Sequence, residues 1–211
     1  MKRQRLGKKE RSWRRNRSII AAALLALIAT EPVLSHSESG VAGGCVAGFT
    51  HPLYGPDHLL AMVAVGLWGA FLGRPLIYIL PVVFPTVMAG GAILGMAAFE
   101  LPPVELGIAL SVLLLGLLTA AAKSLPIWAA SAIVACFAIF HGFAHGQELP
   151  ATADPAGYSA GFVLSTGLLH LLGISLGALT RLPHPFALIP RYLGALIALA
   201  GTYFLYKVLV S

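Results

Sequence analysis

The sequence predicts an all-α polytopic membrane protein. It reads as a six-transmembrane-helix bundle behind an N-terminal signal peptide, with the first span broken at a Pro/Gly motif. Three observations predict this class. Of 211 residues, 58% are hydrophobic, and the mean hydropathy is +0.85. Only 10% are charged, against about 25% in soluble domains. Several apolar stretches also reach the roughly 20 residues that cross a bilayer.

The net charge of +6 does not describe the body of the chain. Nine of the 14 Lys and Arg residues fall within residues 2–17, and the remainder is nearly balanced. Nucleic-acid binding is therefore not indicated, and the basic block reads as a targeting feature. Residues 1–37 have the layout of a bacterial-type signal peptide: a basic n-region at 1–17, an apolar h-region at 18–30, then small residues at Ser35 and Ser37. Glu31-Pro32 makes the cleavage region unusual, and an uncleaved signal anchor is the alternative. Arg14-Arg15 lacks the flanks of a twin-arginine signal. Either outcome brings the chain into residues 38–211, one transmembrane domain, from the extracytoplasmic side.

Residues 40–73 are too long for one straight span, since a helix of that length would reach roughly 50 Å. Pro52, Gly55 and Pro56 interrupt them. The reading is a short helical lead-in over about 40–50, a break, and a span over about 56–73 that starts with Pro56 at the first helical position. Further spans follow at about 75–98, 104–122, 125–146, 156–180 and 186–208. Gly-x-x-x-Gly pairs at Gly91/Gly95, Gly157/Gly161 and Gly173/Gly177 permit close helix contact. Cys45 and Cys136 both lie in apolar segments and read as small buried hydrophobes.

The loop charges orient these spans. With residue 56 outside, the inner loops hold Arg74, Lys123 and Arg181, with Arg191 just beyond. The outer loops hold Glu100, Glu105, Glu148 and Asp154 and no Lys or Arg; Lys207 alone sits on the unexpected side. This is the positive-inside pattern.

Two polar runs stand out against the apolar background: HPLYGPDH at 51–58 and FHGFAHGQE at 140–148. The topology places both at the outer end of the bundle, although neither enters into its orientation. His141, His145 and Glu148 stand at i, i+4 and i+7 and share one helix face. Gly142 and Gly146 leave room beside them for a neighbouring backbone or a hydrated ion. In the first run, the break lets His51 fold back toward His58, and Asp57 sits near a helix start, where its charge suits the dipole. Ionisable groups at membrane depth are costly and mark functional sites, and imidazole with carboxylate is a ligand set for a divalent transition metal. The candidate metal ligands are therefore His51, Asp57, His58, His141, His145 and Glu148, converging on one extracytoplasmic-facing site.

Other polar residues weigh less. His170, mid-span with Ser165 and Thr166 nearby, is a candidate relay inward or a packed histidine. His184 reads as interfacial, and His36 would lie at or just before a new N-terminus. The four methionines form no thioether cluster, which argues against a Cu(I) path.

The two runs resemble the signatures of the HupE/UreJ family of bacterial nickel permeases. The first signature, His then five residues then Asp-His, is met by His51, Asp57 and His58; the second is met at every position from Phe140 to Glu148. The similarity extends over the signal-like start, the spans and the motif order, hence nearly the whole chain. It implies uptake of Ni²⁺ across the bacterial inner membrane, from the periplasm, for hydrogenase or urease maturation. It also implies functional roles for His51, Asp57, His58 and Glu148. The long basic N-terminus and odd cleavage region depart from the family and put only the processing step in doubt.

The expected activity is transport, not catalysis. The metal is cargo, with Co²⁺ or Zn²⁺ as alternatives to Ni²⁺, and no cofactor is permanently bound. No phosphate-binding G-x-x-x-x-G-K-[ST] loop occurs, so ATP hydrolysis by this chain is not expected. An intramembrane zinc-dependent hydrolase is the main rival, with Glu148 as base, but the sequence has no H-E-x-x-H. A membrane metal sensor or metallochaperone anchor would more naturally carry a soluble domain.

Overall fold

In a computed structural model, residues 41–97, 101, 103–149, 154–183 and 186–211 are described. The signal-peptide reading of 1–37, including His36, lies outside these residues, as do Glu100 and His184. Among the described residues, seven α-helices follow one another: α1 (Val41–Tyr54), α2 (Pro56–Leu72), α3 (Leu76–Met96), α4 (Val104–Ala120), α5 (Ile127–Gln147), α6 (Pro155–Gly177) and α7 (Ile189–Val210). Short 3₁₀ turns at Ala178–Arg181 and Phe186–Leu188 join α6 to α7.

Among the described residues, four helical segments are long and apolar enough to cross a membrane: Leu76–Met96, Ile127–Gln147, Pro155–Arg181 and Phe186–Val210. Helices α1 and α2 qualify only as a pair, bent by 83° at Gly55. Helix α4 is apolar but has 17 residues. The lead-in helix differs from expectation. It runs past Pro52 to Tyr54, so the chain turns at Gly55 alone and His51 sits on the last helical turn. Pro52 is tolerated there because its missing N–H costs a single backbone bond near the helix end.

Helix α2 is the centre of the fold. Residues 61–70 are all buried, including Met62, Leu67 and Trp68. A helix that is apolar all round belongs inside a bundle, and α1, α3, α4, α6 and α7 all pack against it. Around it, the remaining helices pair closely: α3 with α5, α4 with α7, and α1 with α6. The outward faces carry large apolar side chains such as Val82, Ile93, Leu171 and Leu199, as a lipid-facing surface requires.

Glycines set the spacing of the pairs. A β-carbon on Gly142 or Gly146 would collide with the carbonyls of Met88 and Ala92 on α3. Reciprocally, one on Gly91 or Gly95 would meet the carbonyls of Ile139 and Phe143 on α5. The room that the sequence leaves beside His141 and His145 is thus filled by the α3 backbone. The same holds for Gly157 and Gly161 against Val41 and Cys45, and for Gly173 against Val63. Backbones in contact gain dispersion attraction, the main attraction left between helices in lipid.

Arg74, Lys123 and Arg191 gather at one end of the bundle. Trp68 Nε1 donates to the Lys123 carbonyl at 3.1 Å, and Arg191 Nε donates to the Ala120 carbonyl at 3.0 Å, satisfying backbone groups where α4 ends. Arg74 lies over the Tyr78 ring at 5.6 Å. The opposite end holds Asp57, Glu105, Glu148 and the α6 N-cap Asp154, whose carboxylate accepts the Gly157 N–H.

Gly161→Ala should therefore destabilise the protein by about 1–3 kcal/mol through overpacking. Gly167→Ala, on the same helix with nothing within 4 Å of its would-be β-carbon, should be neutral or stabilising by about 0.5–1 kcal/mol. Thermal unfolding of the two purified variants in detergent measures the difference, and equal midpoints would count against the glycine contacts.

Candidate metal centre

The polar residues come together where α1 ends, α2 begins and α5 ends. The bend at Gly55 turns the last turn of α1 across the start of α2, and α5 brings up its C-terminal turn beside them. His51 Nε2 lies 3.0 Å from Glu148 Oε2, and His145 Nδ1 lies 3.8 Å from the same oxygen. One ligand atom from each of His51, His145 and Glu148 fits within a mutual distance of 4.8 Å. The rings of His51 and His145 are 4.8 Å apart, and those of His145 and His58 are 4.3 Å apart.

Burial differs sharply within this trio. His145 is buried, and neither of its ring nitrogens has a hydrogen-bond partner among the described residues. Buried polar atoms are almost always paired, so an orphaned imidazole beside a carboxylate and a second imidazole is a ligand-ready arrangement. Glu148 is half-exposed at the C-cap of α5. Its hydrogen bond with His51 holds its carboxyl below the usual carboxylate range, against a smaller opposing effect of burial. Phe162 packs 4.2 Å from the His145 ring, and Tyr158 5.9 Å from the His51 ring, walling the pair on the α6 side. A cavity of about 240 Å³, lined by Met88, Ala92, Tyr158 and Phe162 among others, reaches His145.

A second layer lies behind the first. His58 is buried, and its Nδ1 is 2.9 Å from Nδ1 of His141. His141 is fully buried, and its Nε2 is 2.8 Å from Ser111 Oγ on α4. Both ring nitrogens of His141 are therefore engaged. It stands behind His58 rather than beside His145, although the sequence reading groups all four histidines as equivalent ligands. Asp57 accepts the His58 backbone N–H at 2.8 Å and faces His58 Nε2 at 3.9 Å. Glu105, in the first turn of α4, lies within electrostatic range of Asp57 and Glu148, a third carboxylate beside those two.

His170 does not join the cluster. It is buried on α6, with Phe84 between it and His141 at ring distances of 5.5 Å on each side. Pro85 has no N–H, so the Pro81 carbonyl one turn before it is free of the helix ladder. The His170 ring faces that carbonyl, yet neither nitrogen completes a hydrogen bond.

Sequence reasoning does not single out Ser111, Phe84 or Tyr158. A serine inside the apolar run of α4 and aromatics in a membrane span carry no local signal. Their roles depend on which helices are neighbours, and only the two motifs can be matched without that knowledge.

Comparison with known proteins agrees with the motif reading. The sequence profile described as HupE / UreJ protein matches residues 23–204. The chain is 45% identical over 171 residues to Protein HupE of Rhizobium leguminosarum bv. viciae, covering 81% of this chain and 89% of that protein. No solved structure matches the chain. With matches of this extent, the chain belongs to the HupE/UreJ family.

Proposed function

We propose that this protein is an inner-membrane permease that takes up Ni²⁺ through a site near the periplasmic face. The HupE/UreJ family is a transporter-type membrane family associated with nickel or other metal uptake for hydrogenase or urease, not a family of enzymes. Ni²⁺ as the cargo, the periplasmic position and the ligand assignment all belong to the proposal. The observation that carries it is the orphaned, buried His145 set against His51 and Glu148.

The chemistry of that trio suits a divalent transition metal. Two neutral imidazoles and one carboxylate leave a bound ion with reduced charge and part of its water shell. Ligand atoms across a coordination sphere stand at most about 4 Å apart. The trio, now within 4.8 Å, therefore closes by several tenths of an ångström on an ion. Asp57 and His58 form the next pair of ligands inward, and His141 backs them. An incomplete protein shell keeps the ion releasable, as passage demands. Asp57, Glu105 and Glu148 raise the local cation concentration at the mouth.

The loop charges support an outward-facing mouth, since Arg74, Lys123, Arg181 and Arg191 then fall on the cytoplasmic side. Helix α4 then brings the spans to six, and α1 is re-entrant from the periplasmic surface. His170 is the next station inward. Its orphaned nitrogens and the freed Pro81 carbonyl offer an ion a nitrogen and an oxygen ligand beyond Phe84.

Uptake of radioactive nickel into proteoliposomes tests the assignment. His58→Ala and Glu148→Ala should each reduce uptake at low nickel by at least the ~10–100-fold typical of losing a metal-orienting partner. Uptake that survives both substitutions would remove the site from the pathway. His170→Leu should leave nickel binding at the outer trio intact while lowering the transport rate; unchanged transport would return His170 to a packing role.

Acid should inhibit uptake, since protons compete with metal for imidazole. Glu148 does not contribute to that inhibition between pH 7 and 5. Its carboxyl is held below the usual range by His51, so it stays ionised, and paired with His51, until pH falls through that lowered value. Glu148→Gln should therefore lower uptake throughout that window, at pH 5 as at pH 7. Wild-type uptake that falls to the Glu148→Gln level by pH 5 would show the carboxylate being protonated there.

A further inference from the structure

We propose that Ser111 and His141 form a buried hydrogen-bond relay that fixes which nitrogen of His58 faces the cation, making both of them positioning residues. The inference rests on the transport reading above and deepens it.

The relay follows from counting protons. Ser111 Oγ stands 2.6 Å from the Ile108 carbonyl. A carbonyl has no hydrogen to give, so the single hydroxyl proton of Ser111 lies between those two oxygens. Toward His141 Nε2, at 2.8 Å, Ser111 Oγ can then only accept. Nε2 of His141 therefore carries a hydrogen. A second hydrogen on Nδ1 would make His141 a cation, fully buried and touching no carboxylate among the described residues. An unpaired buried charge is among the costliest arrangements in a protein. Nδ1 of His141 thus presents a lone pair. It faces His58 Nδ1 at 2.9 Å, so His58 Nδ1 donates.

The consequence falls on the other side of the His58 ring. With Nδ1 bound to hydrogen, Nε2 is the nitrogen that exchanges between proton and metal. Nε2 faces Asp57 Oδ1 at 3.9 Å, and that oxygen already accepts the His58 backbone N–H. Two acceptors facing each other across 3.9 Å are unfavourable alone. The gap is just under twice a metal–nitrogen or metal–oxygen bond of about 2.0–2.1 Å. A cation between them relieves the repulsion. The hydrogen bond made by one ring nitrogen decides whether the other is free to ligate, and here that control begins at Ser111 on α4, a helix that carries none of the candidate ligands.

Ser111→Ala removes the acceptor at His141 Nε2. His141 can then place its hydrogen on Nδ1 and donate to His58, which moves the His58 hydrogen to Nε2 and covers the ligand atom. Loss of such an orienting partner typically weakens metal binding about 10–100-fold. The test has two arms. First, ¹⁵N spectra of histidine-labelled full-length protein in lipid, assigned by difference with His58→Gln, read the tautomer directly. Wild type should show His58 with hydrogen on Nδ1, and Ser111→Ala should show it on Nε2. Second, nickel uptake in proteoliposomes should show KM raised about 10–100-fold in Ser111→Ala, with the maximal rate per folded transporter nearly unchanged. Ser111→Thr, which keeps the hydroxyl and its bond to the preceding turn, should restore both readouts.

A wild-type His58 protonated on Nε2 overturns the relay, whatever transport does. So does a wild-type KM in Ser111→Ala. If wild type carries no nickel at all, the transport reading fails, and the tautomer spectra still decide the relay on their own.

Discussion

Direct contact between helix backbones sets the spacing of the helix pairs in this protein. Where a glycine meets a carbonyl, two helices approach more closely than any side chain would allow, and the glycines recur at the contacts between α3 and α5, α1 and α6, and α2 and α6. In lipid, burial of apolar surface gives little net attraction between helices, because acyl chains are as apolar as leucine. Close approach with many small dispersion contacts takes its place. The histidines depend on it. His141 and His145 alternate with Gly142 and Gly146, so the same two turns of α5 press against α3 on one side and hold imidazoles toward α1 and α2 on the other.

The site is organised in depth by how its polar groups are satisfied. At the mouth, Glu148 is half in solvent and His145 has no partner. One layer down, His58, His141 and Ser111 are joined in an unbroken line of hydrogen bonds that ends on a backbone carbonyl. Deeper still, His170 is buried without a completed bond. A layer tied together by hydrogen bonds between two under-bonded ones is rigid where its neighbours are receptive. Buried networks specify a single geometry when their members are paired with one another, and His58, held through Nδ1, keeps a defined ring direction with Nε2 left over.

Much of this is legible in the sequence, for identifiable reasons. Periodic apolar runs and their Pro and Gly punctuation locate the helices, because lipid forces each backbone polar group to pair within its own segment. Helical spacing puts His141, His145 and Glu148 on one face. Loop charges bring the two motifs to the same end. What stays hidden depends on contacts between distant segments. Nothing local distinguishes His141, bonded on both nitrogens, from His145, bonded on neither; the difference arises because Ser111 lies opposite one and not the other. The sequence understates the length of α1 because Pro52 reads as a break, while a helix near its end loses little by accommodating it. Gly142 and Gly146 read as room for either a neighbouring backbone or a hydrated ion, and only the helix pairing decides for the α3 backbone.

The burial of α2 on every side has a consequence for how the protein is made. Ribosomes deliver α2 before α3, α4, α6 and α7, the helices that surround it in the finished bundle. During synthesis it must therefore wait in lipid or at the insertion machinery, without the neighbours it will later be enclosed by. Its central stretch, residues 61–70, is uncharged and suited to that wait. Its two ionisable groups, Asp57 and His58, lie at its first turn, close to the headgroups, where hydration is still available. The order of residues along α2 thus reads as a record of its assembly: the end that can remain wet carries the chemistry, and the remainder is built to be enclosed last.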